Sequence, residues 1–221
     1  FFKEAFSHSF VSCALQYVDC NSNDLVIDPF AGSGTVALST AWAGIPSISI
    51  EVNPFLHFVG KVKLSRASSS SLKSKIDLII REIVFGHPSP LLEFSTFSNS
   101  SKSDTSKWLF NKEVLNAFEG GWVATEQFSN PYKGIFQLAL IATATDASNA
   151  SKDGKCWRYK KNWKELNYGL DEFVFFFKSR IEKILHDLEV NRMPFGSKSN
   201  IYLGDSRKIL AGRLKNRKFK L

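Results

Sequence analysis

The sequence predicts an α/β fold, a parallel sheet flanked by helices and interrupted by a long, mostly helical insertion. Three observations predict it. Short apolar or β-branched runs end at an acid in three places, Asp28, Glu51 and Asp205. The first two runs are joined by a glycine turn and a helical segment, the order that a parallel crossover requires. Between the second and third runs, residues 67–198 carry apolar positions at helical rather than strand spacing. The expected organisation is a core begun by residues 1–66, an insertion over 67–198, and a return to the core over 199–221.

At the start, Phe6, Phe10, Ala14 and Tyr17 or Val18 recur at helical spacing and predict a helix from about Ser9 to Asp19, with Ser7 or Ser9 as its cap. Leu25–Ile27 reads as a buried strand. Asp28 to Gly34 turns from it into a helix, Thr35 to Ala43, which Gly44 and Pro46 stop. Ser47–Ile50 alternates as a strand should and ends at Glu51. Asn53-Pro54 then opens a helix from Phe55 to about Ser65.

Inside the insertion, the serine runs Ser68–Ser71 and Ser95–Ser106 read as exposed joints. Leu72–Val84, Trp108–Phe118, Tyr132–Thr145 and Leu170–Val190 read as helices. The last carries Phe173, Phe176, Phe177, Ile181, Ile184, Leu185 and Leu188 as a core-facing stripe. Ser199–Leu203 is the third strand, followed by Asp205 and a helix from Ser206 to about Leu214. Lys215–Leu221 looks like the approach to one more strand.

At 221 residues and 43% hydrophobic, the chain can bury a sizeable core. It has no apolar run of membrane-spanning length and no signal-peptide pattern. Cys13, Cys20 and Cys156 are scattered, with neither disulfide nor zinc spacing, so a reduced, cytoplasmic setting is expected. His8, His57, His87 and His186 show no metal-ligand spacing, and no serine or cysteine nucleophile motif accompanies them; no metal is expected. The first residue is Phe1, so residues are expected to precede it.

The net charge of +8 favours a polyanionic partner, most simply nucleic acid. Lys152 to Lys164 concentrates that charge. Lys152, Lys155, Arg158, Lys160, Lys161 and Lys164 alternate with Trp157, Tyr159 and Trp163, cations for phosphates and rings for bases. A solvated loop with its aromatics tucked inward is the competing reading.

The chemistry centres on Asp28-Pro29-Phe30-Ala31-Gly32-Ser33-Gly34-Thr35. Gly32 and Gly34 can take positive φ and let a ligand approach the backbone, and the helix N-terminus beyond them offers unpaired N–H groups. This suits a nucleotide-like cofactor across the strand ends. A P-loop fits poorly, because no Gly-Lys-Ser/Thr follows, and a dinucleotide turn lacks its third glycine. An acid at the end of the second strand, Glu51, can accept both hydroxyls of a ribose.

The same octapeptide resembles motif I of the amino-group DNA methyltransferases, which methylate N6 of adenine or N4 of cytosine with S-adenosyl-L-methionine. Ile50-Glu51-Val52-Asn53-Pro54 resembles motif II of that family, and Gly204-Asp205-Ser206 resembles motif III. Phe6, Ser7, Ser9 and Phe10 are similar to the aromatic segment called motif X. The insertion, with Trp108-Leu109-Phe110, Ile135–Leu140 and Ser148-Asn149-Ala150, looks like one branch of the family.

The resemblance implies a partial, Rossmann-like class I methyltransferase sheet with S-adenosyl-L-methionine across its strand ends. Phe10, Asp28, Pro29, Phe30, Ala31, Gly32, Ser33, Gly34 and Thr35 would line the cofactor. Glu51 would take the ribose, with Val52, Asn53 and Pro54 beside it. Asp205 and Ser206 would meet the adenine.

The family's catalytic Asp/Asn/Ser-Pro-Pro-aromatic motif is not matched in this chain, so no catalytic residue is assigned. It would follow a strand after Leu221, and the isolated chain is expected to transfer no methyl group. Its place would be in the remainder of the enzyme or in a partner chain. Asn130-Pro131-Tyr132 is a near match but reads as a helix start, Asn130 the cap and Pro131 the first position. Two other functions stay open: a tRNA guanine-N2 type RNA methyltransferase, and a non-catalytic, methylase-like binding subunit.

Overall fold

The computed structural model describes residues 6–94, 107–153, 156–191 and 198–220. The chain forms two compact units, Phe1–Arg66 with Arg192–Leu221, and Ala67–Asn191. The fold is mixed α/β.

The first unit contains α1 (His8–Tyr17), β1 (Val26–Asp28), α2 (Thr35–Trp42), β2 (Ser47–Glu51), α3 (Pro54–Lys63), β5 (Asn200–Leu203) and α8 (Ser206–Ala211). Its strands lie parallel in the order β1-β2-β5, with Ile27 opposite Ile48 and Ile50 opposite Tyr202. Strand β2 is central and all five of its residues are buried, as expected for a parallel strand covered on both faces.

The Ser-Ile alternation of β2 divides those faces. Ile48 and Ile50 pack with Leu214 and, around them, Ile27, Tyr202 and Phe219. Ser47 faces α2, where its hydroxyl accepts from Thr40 Oγ1 at 2.7 Å and donates to Ser199 Oγ at 2.9 Å. Small hydroxyl residues there let the helix sit close while keeping most buried polar atoms paired. Lys220 donates its backbone N–H to Leu25 O at 3.0 Å, so the tail touches the start of β1 without forming a ladder among the described residues.

Helix α1 is capped by Ser7, whose hydroxyl accepts from Phe10 N at 3.1 Å. Its buried face differs from the expected one. Val11 and Leu15 pack on Val26 and Ile45. Phe6, Phe10 and Tyr17 are exposed, the two phenylalanines stacked on each other at 5.1 Å. The aromatic spacing is helical, but the face that fits against β1 is the one carrying the smaller aliphatic residues.

The second unit contains α4 (Ser69–Phe85), a 3-10 turn (Pro90–Glu93), α5 (Lys112–Thr125), α6 (Tyr132–Asp146), the antiparallel pair β3 (Ala150–Asp153) and β4 (Cys156–Tyr159), and α7 (Leu170–Val190). Phe173, Phe177 and Ile181 of α7 are buried, as its stripe predicts.

Several expectations need correction here. Ser68–Ser71 is no exposed joint: Ser68 caps α4 and Ser69–Ser71 form its first turn, an arrangement serine favours. Helix α5 starts at Lys112 rather than Trp108 and continues through Gly120-Gly121 to Thr125. The glycine pair resembles a stop signal but serves close packing: a Cβ on Gly120 would run into the Glu82 carbonyl oxygen of α4. The start of the Lys152–Lys164 segment is a hairpin strand rather than a loop. Helix α6 takes Pro131, not Asn130, as its cap residue, while Asn130 Oδ1 accepts from Gly134 N at 3.3 Å. The Ser95–Ser106 run lies outside the described residues.

Candidate functional site

The site is built where the three parallel strands of the first unit end. Strand β1 closes with Asp28, whose Oδ1 accepts from Phe30 N at 3.0 Å and so starts the turn. Ala31 N donates to Ile50 O at 2.9 Å, tying the turn to β2. Gly32 takes φ +53° and Gly34 φ +79°, conformations that side-chain-bearing residues rarely adopt. A Cβ on Gly34 would come within 3.1 Å of Gly60 Cα, so this glycine also lets α3 approach the turn. At Gly32 a Cβ would meet nothing within 4 Å, so the backbone there faces open space.

Glu51 joins all three strand ends. Its side chain is buried, and Oε2 accepts from Gly32 N at 2.7 Å while Oε1 accepts from Asn53 N at 2.8 Å. Its own carbonyl accepts from Gly204 N at 2.9 Å. A carboxylate has about four acceptor positions. One position on each oxygen is therefore used by the fold, and one on each remains for a ligand hydroxyl.

A cleft of about 330 Å³ opens at these ends. Pro29 and Phe30 form one wall, Ile50, Glu51 and Val52 the second, and Gly204, Asp205, Ser206 and Arg207 the third. Phe30 is 81% exposed and Val52 71%. Two such apolar groups at a cleft mouth, next to two carboxylates, suit a flat apolar ring attached to a polar sugar.

The electrostatics separate the three acids. Burial pushes the Asp28 carboxyl above its usual range; the Phe30 amide draws it partly back, and the Glu51 charge adds to the rise. Folding therefore disfavours ionised Asp28: its contribution to stability is full below the ordinary aspartate pKa of about 4 and is lost as pH climbs through the raised value. Asp205 goes the other way, held down to about 2 by hydrogen bonds from Arg207. Burial lowers the Lys63 ammonium, which donates to Ser33 O at 3.0 Å and steadies the glycine turn.

Of the residues expected at a cofactor, Pro29, Phe30, Glu51, Val52, Asp205 and Ser206 line this cleft. Asp28, Ala31, Gly32, Ser33, Gly34 and Thr35 form the turn and helix start behind it. Asn53 is not on the cleft wall: its Oδ1 caps α3, accepting from Phe55 N at 2.9 Å and Leu56 N at 3.3 Å. Pro54 is the first residue of that helix. Phe10 stands on exposed α1 against Phe6. Ile50 and Gly204, members of the stretches that resemble motifs II and III, also line the cleft, as does Arg207, which lies outside the motifs. Arg207 follows an acid that caps a helix, and the sequence alone does not show that its side chain folds back.

Two of the histidines serve the fold. His8 Nδ1 bonds Ser39 Oγ at 2.8 Å, and His57 Nε2 bonds Ile201 O at 3.2 Å. Among the described residues no group of three potential ligands could hold a metal ion. No helix among them is long and apolar enough to cross a membrane.

In the second unit, two separate stretches that resemble the methyltransferase branch come together. Asn149 N donates to Leu109 O at 2.7 Å, and Asn149 Nδ2 to Trp108 O at 3.3 Å. The basic segment divides in the same region. Lys160 is a structural residue, donating to Asp146 O at 3.0 Å and lying 4.7 Å from the Tyr168 ring. Trp163 packs edge-on to Trp108 at 4.7 Å and beside Tyr159 at 5.1 Å. Lys161 and Lys164 are exposed, and Trp157 is 46% exposed.

Comparison with known proteins bears out the resemblance to DNA methyltransferases. The Type II methyltransferase M.BsoBI of Geobacillus stearothermophilus is 28% identical over 160 residues, 72% of this chain and 30% of that protein. The Type II methyltransferase M.MjaII of Methanocaldococcus jannaschii is 42% identical over 53 residues, 24% of this chain and 10% of that protein. The chain thus spans under a third of the length of either relative. No family model matches, and no solved structure matches.

Proposed function

We propose that this chain is the cofactor-binding part of an S-adenosyl-L-methionine-dependent DNA methyltransferase acting on N6 of adenine or N4 of cytosine, with a Rossmann-like sheet. The observation that carries this reading is Glu51, whose carboxylate holds the glycine turn and keeps an acceptor position on each oxygen. The donor set fits the cofactor. Carboxylates suit ribose hydroxyls and an adenine amino group, the open backbone at Gly32 suits close approach, and Phe30 and Val52 suit a purine ring.

When bound, S-adenosyl-L-methionine supplies a sulfonium methyl group, an electrophile that needs neither metal nor covalent enzyme intermediate. This chain's own contribution is orientation. Glu51 fixes the ribose, Asp205 and Ser206 the base, and the glycine turn the remainder. Calorimetric titration with S-adenosyl-L-methionine is expected to show one site per chain. The absence of binding would end this reading.

The exposed part of the basic segment is proposed to meet DNA phosphates. The Lys161→Glu/Lys164→Glu double variant is expected to weaken duplex binding and to lower the salt slope by about 2, near one unit for each phosphate no longer neutralised. Lys160 is left intact because its ammonium supports the local fold. An unchanged salt slope would make this segment ordinary surface.

A further inference from the structure

Arg207 lines the cleft, and none of the cofactor contacts proposed above uses it. Its side chain is 89% exposed, and yet its guanidinium is turned back on Asp205. Nε donates to Oδ1 at 3.1 Å and Nη2 to Oδ2 at 2.7 Å, the two-pronged geometry that only arginine offers a carboxylate. The Arg207 backbone N–H adds a third bond, to Oδ1 at 2.9 Å. Of about four acceptor positions on a carboxylate, one residue takes three. Oδ1 is filled, and among the described residues nothing else donates to Oδ2, which keeps one position beside the cleft.

Resting on the cofactor reading above, we infer that Arg207 is a positioning residue. It holds Asp205 as a fixed, single acceptor, and so makes the cleft select a purine bearing an exocyclic N–H donor over one bearing a carbonyl there. The selection works by removing alternatives. An unclamped carboxyl facing a carbonyl can rotate away. The fork prevents the rotation. Near neutral pH an aspartate is ionised with or without the fork, so it has no proton to donate. What remains is an acceptor facing an acceptor, a mismatch that a site built around hydrogen bonding rejects. Arg207 acts through Asp205 and need not touch the ligand.

An exposed ion pair adds little to stability, so removing Arg207 should leave the fold intact. The test is calorimetry at neutral pH with S-adenosylhomocysteine and S-inosylhomocysteine, which carry an amino and an oxo group at the purine 6-position. It is run on the wild-type protein, Arg207→Ala and Arg207→Lys. The wild type is expected to prefer the adenosyl ligand by roughly 10- to 100-fold, the scale of one hydrogen bond to a charged group. In Arg207→Ala that preference should fall to a few-fold, with an unchanged thermal midpoint. Arg207→Lys keeps the charge without the fork and should recover only part of the preference. The same preference in all three proteins would overturn the inference and leave the cofactor reading standing. Tighter S-adenosylhomocysteine binding in Arg207→Ala would also overturn it, because Arg207 would then be a competitor for Asp205. Wild-type protein that binds neither ligand would remove both readings together.

Discussion

Gly120→Ala is expected to destabilise the helical unit by about 3 kcal/mol, the upper part of the range for overpacking. The sign is what makes the test sharp. On an exposed helix, glycine to alanine stabilises by up to about 1 kcal/mol. Here the new methyl would strike the Glu82 carbonyl oxygen of α4, with the Glu82 carbonyl carbon at 3.0 Å and Gly86 Cα at 3.1 Å. Those are backbone atoms, so relief requires moving one helix against another. Gly121→Ala provides the contrast. Its methyl would meet Leu140 Cδ2 at 2.6 Å and Ile83 Cγ1 at 2.9 Å. Side-chain ends can shift, and a cost nearer 1 kcal/mol is expected. Urea unfolding followed by helical circular dichroism measures both. A neutral or stabilising Gly120→Ala would mean that α4 and α5 are not packed this closely.

That glycine pair also marks the limit of what can be read in the sequence. The three parallel strands are legible because each is short, apolar or β-branched, and ends at or just before an acid. The long helix α7 is legible because its stripe runs through several turns. The helix expected to end at Phe118 runs on through Gly120-Gly121 to Thr125, because local propensity cannot see the helix packed against it. Helix α1 misleads in a related way. Phe6, Phe10 and Tyr17 are the largest apolar residues at its helical spacing, but Val11 and Leu15 fit the sheet. The β3–β4 pair is hidden by its charge, since Lys152, Asp153 and Arg158 interrupt any apolar alternation. In the candidate site, motif order places six residues on one cleft. It cannot show that Asn53 spends its oxygen on the α3 cap, or that Arg207 folds back on Asp205. Both depend on side-chain direction rather than spacing.

Glu51→Ala is expected to weaken S-adenosyl-L-methionine binding by about 1.5–3 kcal/mol, roughly 10- to 100-fold, the scale for losing hydrogen bonds to a charged group. The structure adds a second effect. The same substitution strips the acceptors from Gly32 N and Asn53 N, so the unliganded protein should also lose about 1 kcal/mol of stability. Glu51→Gln separates shape from chemistry. An amide keeps one acceptor end, but its NH2 must face either the Gly32 or the Asn53 N–H, donor against donor. Glutamine should therefore recover little of the affinity despite its nearly identical volume. A ligand comparison isolates the ribose. Removing one ribose hydroxyl from S-adenosylhomocysteine should cost the wild type several-fold in affinity and cost Glu51→Ala almost nothing, since the partner is already gone. Equal losses in the two proteins would confine Glu51 to holding the turn, and unchanged affinity in Glu51→Ala would remove it from the binding site altogether.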